Sequence, residues 1–371
     1  MSRLQRWVPW PIRTLAQLAI VGLVVEFVLL PQVAGTGSSL RALLDVDSPW
    51  IAAALVAELA SLAAFASATR AMIPAAHRPT YRRVLRIDLA TIGLNHSVPG
   101  GSAAGTALGL RLLSEEGVPA SDAAFAKIAQ GVGSAILLVL LLWTALAIAI
   151  PLHGNSPLYV TGSVIGLCVV LAAGVTVGVL HRGRNVATRV FCAVTCRVPF
   201  LDDDVGARAA SKIGRQLDLI FNDPRRLARA ALWSTANWLL DATALWCCLR
   251  GYGHAFGYDG LMVSFALAQV AAWLPITPGG LGVVEGILVP TLLGFGGSRA
   301  TVVVGVITYR LIAFWLTIPL GAAAYGGIAG RRRRGEASAC RQGRLGGLGT
   351  RRPANPRANA TGRDTPWRSA G

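Results

Sequence analysis

Residues Leu261–Ser298 read LMVSFALAQVAAWLPITPGGLGVVEGILVPTLLGFGGS, a nearly uncharged apolar run broken near its middle by Pro278, Gly279 and Gly280. Residues Ile87–Ser121, IDLATIGLNHSVPGGSAAGTALGLRLLSEEGVPAS, repeat the break at Pro99, Gly100 and Gly101. Proline removes a backbone donor and clashes with the preceding turn, and paired glycines weaken a helix further. Each stretch is therefore expected to be a helical hairpin with its tip at Pro-Gly-Gly. The legs Ile87–Val98 and Ser102–Leu113 would reach only ~18 Å at 1.5 Å per residue, short of a ~30 Å hydrocarbon core, so the first hairpin reads as re-entrant. Leu261–Thr277 and Leu281–Gly296 would reach about 25 Å, which leaves a re-entrant loop and two thin spans both open. Irregular backbone at that depth survives only where it is buried in protein or lines a wet cavity.

The rest of the chain gives these hairpins a membrane to enter. Of 371 residues, 53% are hydrophobic and 14% charged, with a mean hydropathy of +0.54, whereas soluble domains carry roughly 25% charged residues. Six segments are apolar enough to cross as helices: Thr14–Ala34, Trp50–Thr69, Ala123–Ile150, Leu158–Leu180, Ala230–Leu249 and Ala300–Gly330. The net charge of +17 is not spread evenly. Basic residues number 3 in residues 1–13, 5 in Arg70–Arg86, 10 in Arg182–Arg229 and 11 in the tail 331–371. By the positive-inside rule these four regions face the cytoplasm, both termini included. Parity then makes Ile87–Ser121 enter and leave on the cytoplasmic side and Leu261–Ser298 on the outer side. The expected architecture is an all-α polytopic membrane protein of six full spans plus two broken hairpins in inverted orientation, the pattern of transporters built from inverted repeats around a midplane site.

This arrangement assigns the basic charge to topology and excludes nucleic acid as a partner. The loop 181–229, with Val190, Phe191, Val194 and Phe200 among its arginines, reads as an amphipathic surface for anionic inner-leaflet lipids. The Gly/Arg/Pro-rich tail 331–371 reads as disordered. Six cysteines show no zinc-type spacing, so no metal and no cofactor is expected.

Asn95, Pro99, Gly100, Gly101 and Gly105, then Arg111 and Gly117, resemble the first signature of the lysylphosphatidylglycerol synthase transmembrane, or flippase-like, family. Pro275, Pro278, Gly279, Gly280, Leu281, Gly282, Val283 and Glu285 match its second, more specific signature, and Tyr309-Arg310 is similar to its third. The resemblance spans roughly residues 14–330. It implies an integral membrane domain of the bacterial plasma membrane that moves aminoacylated phospholipids or lipid-linked sugars. The chain departs from the family at Thr106 and Ala107, where an acid often follows the first glycines. In the multiple peptide resistance factors of the family a synthetase domain follows the membrane domain, and a 41-residue polar tail is too short to be one. The expectation is a non-enzyme that flips lipid. Its alternatives are a membrane enzyme on lipid-linked sugars using Asp202–Asp204, or a non-transporting partner of a separately encoded synthetase or glycosyltransferase.

Ionisable residues at membrane depth are costly and mark function by default. The spans hold Glu26, Glu58, Asp241 and Glu285 against Arg310. Glu285 and Arg310 form either a mutual ion pair or a site in which Arg310 meets a lipid phosphate while Glu285 braces the hairpin. Asp241, near Trp233, Trp238 and Trp246, either meets a cationic head group or stays protonated as a packing residue; Glu26 and Glu58 have no evident partner. Helices that restart at Ser102 and Leu281 would aim free N–H groups at a phosphate. The candidate substrate-binding residues are Asn95, Pro99, Gly100, Gly101, Asp241, Pro278, Gly279, Gly280, Glu285 and Arg310.

Overall fold

The computed structural model describes residues 47–98, 101–153, 223–253, 256–273 and 277–331. The expected spans Thr14–Ala34 and Leu158–Leu180, most of the loop 181–229, Asp202–Asp204, Pro99, Gly100, Pro275 and the tail beyond 331 lie outside them. All regular structure among the described residues is helical. The chain divides into two units after Tyr325. In the second, residues 326–331 are helical.

Helix α1, Ser48–Met72, starts at Pro49 in its first turn, where a missing N–H costs nothing, and stops before Pro74. Its small residues Ala54, Ala57, Ser61 and Ala64 are buried, and it packs on α5, Pro224–Arg250. The two are stitched at Ser61 and Asn237: the Asn237 amide donates to Ser61 Oγ at 2.7 Å and to Ser61 O at 3.2 Å. Small residues allow this close approach, and the polar bridge supplies the attraction that apolar surface lacks in lipid. At the other end of α1, Arg226 of α5 donates to the carbonyls of Ala71 and Met72, closing two of the helix's orphan acceptors.

The first hairpin is formed by α2, Tyr81–Ser97, and α3, Gly101–Glu115. At 17 and 15 residues its legs are about 25 and 22 Å long, longer than expected. The helix absorbs the basic residues Arg82, Arg83 and Arg86 that charge counting had assigned to a loop, because Thr80 O already accepts from the N–H groups of Arg83 and Val84. The chain turns back so tightly that a Cβ on Gly101 would sit 2.1 Å from Asn95 O. Gly105 and Gly109 continue the glycine face that lets α3 lie on α2.

Helix α4, Ala120–His153, follows. The second hairpin is formed by α6, Tyr258–Ala271, and α7, Val283–Gly294, with a 3₁₀ turn at Pro278–Gly280 among the described residues between them. Its legs, 14 and 12 residues, are the shorter pair at about 21 and 18 Å, reversing the expected order. Gly282, at φ 80°, delays the new helix to Val283 rather than Leu281. Helix α8, Arg299–Arg310, begins on the Ser298 cap and runs into a π-helical turn at Leu311–Trp315.

Among the described residues, Ser48–Met72, Ala120–Ile148 and Arg299–Arg331 are long and apolar enough to cross a membrane. They coincide with three of the six expected spans; α5 coincides with a fourth but carries Arg225, Arg226, Arg229 and Asp241. Leu138, Leu142, Leu245, Phe265, Leu288 and Val306 meet in one core, while Val56, Leu59, Leu232 and Ile148 point outward. Apolar side chains on both faces of a helix are what a lipid environment permits. Cys247 and Cys248 are free and buried, as apolar fillers.

Candidate functional site

The tips of the two hairpins meet. His96, the penultimate residue of α2, stacks on Phe314 in the π turn of α8 with ring centroids 4.4 Å apart, and its Nδ1 lies 2.7 Å from Thr317 Oγ1. Gly279 fits under both rings: a Cβ there would come within 2.4 Å of Phe314 and 2.8 Å of His96, and its φ of 53° disfavours any side chain. The π turn supplies an irregular register where the helix must receive both tips, a use to which such turns are frequently put.

Around this junction lies a cavity of about 500 Å³. Asn95, His96, Gly101 and Ser102 line it from the first hairpin, and Gln269, Thr277 and Gly279 from the second. Glu58 and Ser61 of α1, Asn237 and Asp241 of α5, and Tyr309 and Arg310 of α8 complete its polar wall.

Arg310 and Glu285 form the expected ion pair, buried, with Nε 2.6 Å from Oε1. Glu285 does more than neutralise: its Oε2 accepts the N–H of Gly282 at 2.7 Å, capping α7. The N-terminus of α7 is therefore already occupied by a carboxylate and is not the open phosphate cradle expected there. Arg310 also reaches the Gly279 carbonyl at 3.5 Å and lies over the Phe314 ring at 4.7 Å. It thus ties the second tip to α8 while still lining the cavity. The N-terminus of α3, at Gly101 and Ser102, does face the cavity.

Asp241 has partners other than the tryptophans near it in sequence. Tyr309 Oη donates to its Oδ1 at 2.7 Å, and Gln269 Nε2 lies 3.4 Å from Oδ2. Trp233 is exposed, Trp246 packs edge-on against Trp50, and of the three only Trp238 shares the cavity. Glu58 does have a partner: its carboxyl group hydrogen-bonds that of Asp241, while Glu58 Oε2 is buried without a bond.

Of the sequence candidates, Asn95, Gly101, Asp241, Gly279 and Arg310 converge on the cavity. Glu285 stands behind Arg310, and Gly280 is buried against Ala272, so that both support rather than line the site. Pro278 belongs to the tip turn; Pro99 and Gly100 lie outside the described residues. Sequence reasoning missed His96, Gln269 and the Glu58 partnership, and it missed the buried ion pair of Asp88 in α2 with Lys127 in α4. The cost of a lone charge in an apolar segment was a signal that these groups must be paired, but not with what.

A model of the family described as the lysylphosphatidylglycerol synthase TM region matches residues 14–321. The chain is 29% identical over 87 residues to a UPF0104 membrane protein of Methanothermobacter thermautotrophicus, covering 24% of this chain and 26% of that one. It is 35% identical over 102 residues to the uncharacterized protein slr0712 of Synechocystis sp., covering 27% and 30%. It is 23% identical over 94 residues to the inner membrane protein YbhN of Escherichia coli, covering 25% and 29%. These matches span less than a third of each relative's length. The inner-membrane relative and the long apolar helices make this chain a multi-pass plasma-membrane protein.

Proposed function

We propose that this chain, which belongs to the family of the lysylphosphatidylglycerol synthase TM region, moves a phospholipid or lipid-linked head group across the bacterial plasma membrane. The observation that carries the reading is the polar cavity at the meeting of two helical hairpins, with a buried arginine and the first turn of α3, at Gly101 and Ser102, in its wall. Arg310 offers a fixed cation with several N–H donors, and the first turn of α3 offers backbone N–H groups and a positive dipole end; together they suit a phosphate. The acyl chains stay in the bilayer while the head group occupies the cavity, and relative movement of the two tips alternates its exposure. Both termini face the cytoplasm, and the hairpins enter from opposite sides. The chain carries no catalytic step in this reading; a separately encoded synthetase supplies its lipid.

The reading is tested in vesicles of bacterial polar lipids containing reconstituted protein and a set of head-group-bearing fluorescent lipids. Wild-type protein accelerates the exchange of at least one reporter between leaflets, as read by membrane-impermeant quenching, and Arg310→Gln abolishes it in a protein that still folds. Equal exchange with wild type and empty vesicles for every reporter removes the proposal.

A further inference from the structure

We propose that Glu58 and Asp241 form a proton-carrying site that couples lipid translocation to the proton gradient. The inference rests on the translocation reading of the cavity and adds its energy source.

Two carboxyl groups that hydrogen-bond each other need one proton between them, because two carboxylates in contact repel and offer no donor. Here the pair spans α1 and α5 and lines the cavity, with Glu58 only 4% exposed. Asp241 takes hydrogen bonds from Tyr309 and Gln269, which suits the ionised member; Glu58 is left as the member that holds the proton. Its Oε2 is buried and unpartnered on the cavity wall, a place where the donor of an entering head group is received without breaking an existing bond, while a second proton goes to the carboxylate of Asp241.

The groups acting on the pair set its response. Tyr309 and Arg310 of α8 and Cys248 of α5 interact with it, His96 of α2 stands in the same cavity, and α6 contributes the neutral Gln269. Arg310 provides the positive charge that supports the single negative charge of the pair. A lipid phosphate bound to Arg310 withdraws that support, and the pair then favours taking up a second proton. By linkage the reverse holds equally: protonation of the pair favours the anion on Arg310. Loading takes a proton from the side on which the lipid enters, and unloading releases it on the other. No bond other than O–H is made or broken.

The test uses the full chain in vesicles holding nitrobenzoxadiazole-labelled phosphatidylglycerol, with a pH-sensitive dye inside. A one-unit pH step across the membrane should change the wild-type rate of lipid movement by about fivefold or more, within the ordinary range of coupling. Asp241→Asn, which removes the carboxylate that takes up the second proton while keeping an acceptor for Tyr309, should retain slow movement that no longer responds to pH and should lose the lipid-dependent dye signal. A wild type that moves lipid at one rate whatever the gradient overturns the coupling alone; a wild type that moves none overturns the translocation reading. Infrared difference spectroscopy keeps the test independent of transport. Adding phosphatidylglycerol micelles should increase a protonated-carboxyl C=O band in wild type and not in Asp241→Asn, and no change in wild type refutes the proton uptake.

Discussion

In the first hairpin the buried ion pair joins Asp88 to Lys127, nine residues or about 14 Å down α2 from Ser97; in the second, Glu285 and Arg310 lie at the tip itself. Both hairpins break at Pro-Gly-Gly, but the first is fastened at its leg to α4 and the second at its tip to α8. The consequence is a division of labour. The first tip brings the N-terminal turn of α3 and His96 to the cavity, whereas the second has its N-terminus capped by its own glutamate. A shared sequence motif thus specifies a turn, and the position of one ion pair decides whether that turn receives a ligand or is held.

The largest expected effects test that division directly. Arg310→Gln or Glu285→Gln leaves a buried charge without its partner and should lower stability by about 3–5 kcal/mol in chemical unfolding; the double substitution should regain most of this. Lys127→Met should cost a similar ~3–5 kcal/mol, since it strands Asp88, and Asp88→Asn/Lys127→Met should again recover. The two doubles should part company in transport: the leg double keeps moving lipid in vesicles, the tip double does not. Loss of transport in a stable leg double would end the distinction.

Glycines give the next comparison. Gly101→Ala drives a methyl into the backbone carbonyl of Asn95, which cannot swing aside, and should cost about 3 kcal/mol, the top of the range for overpacking. Gly282→Ala meets open space and suffers only its left-handed backbone, about 1–2 kcal/mol. Thermal unfolding of the two variants in one detergent checks the order, and a costlier Gly282→Ala would mean that the second tip is the tighter one.

A cysteine at exposed Ala75 should change stability least, within about 0.5 kcal/mol, and one at exposed Gly257 somewhat more, because its Cβ would stand 2.6 Å from Asp259 Oδ1 and push that carboxylate aside. In a chain otherwise without cysteine, Gly257→Cys should react with an impermeant maleimide on intact cells and Ala75→Cys only after lysis. Labelling of both from one side would place the two hairpins on the same face.

How much of this could be read in advance depended on how local each feature is. Helix breaks at Pro-Gly-Gly follow from neighbouring backbone, and the hairpins were found where expected. Their lengths were not: charge counting stopped the first leg at Arg86, whereas arginine stems lie along a helix as readily as a loop, and α2 begins at Tyr81. The Glu285–Arg310 pair was legible because each is the lone charge of its apolar segment.

The sequence alone determined that this is a helical membrane protein, where its chain reverses, and which charges are too costly to stand unpaired, because apolar run length, helix breaking and desolvation act on a residue through its immediate surroundings. Tertiary structure decided which partners those charges found. His96 meets Thr317 across 221 residues, and Glu58 meets Asp241 from a different helix. Such pairings depend on how α1, α5 and α8 rotate about one another and on where a π turn shifts the register of side chains, and packing of whole helices fixes those angles.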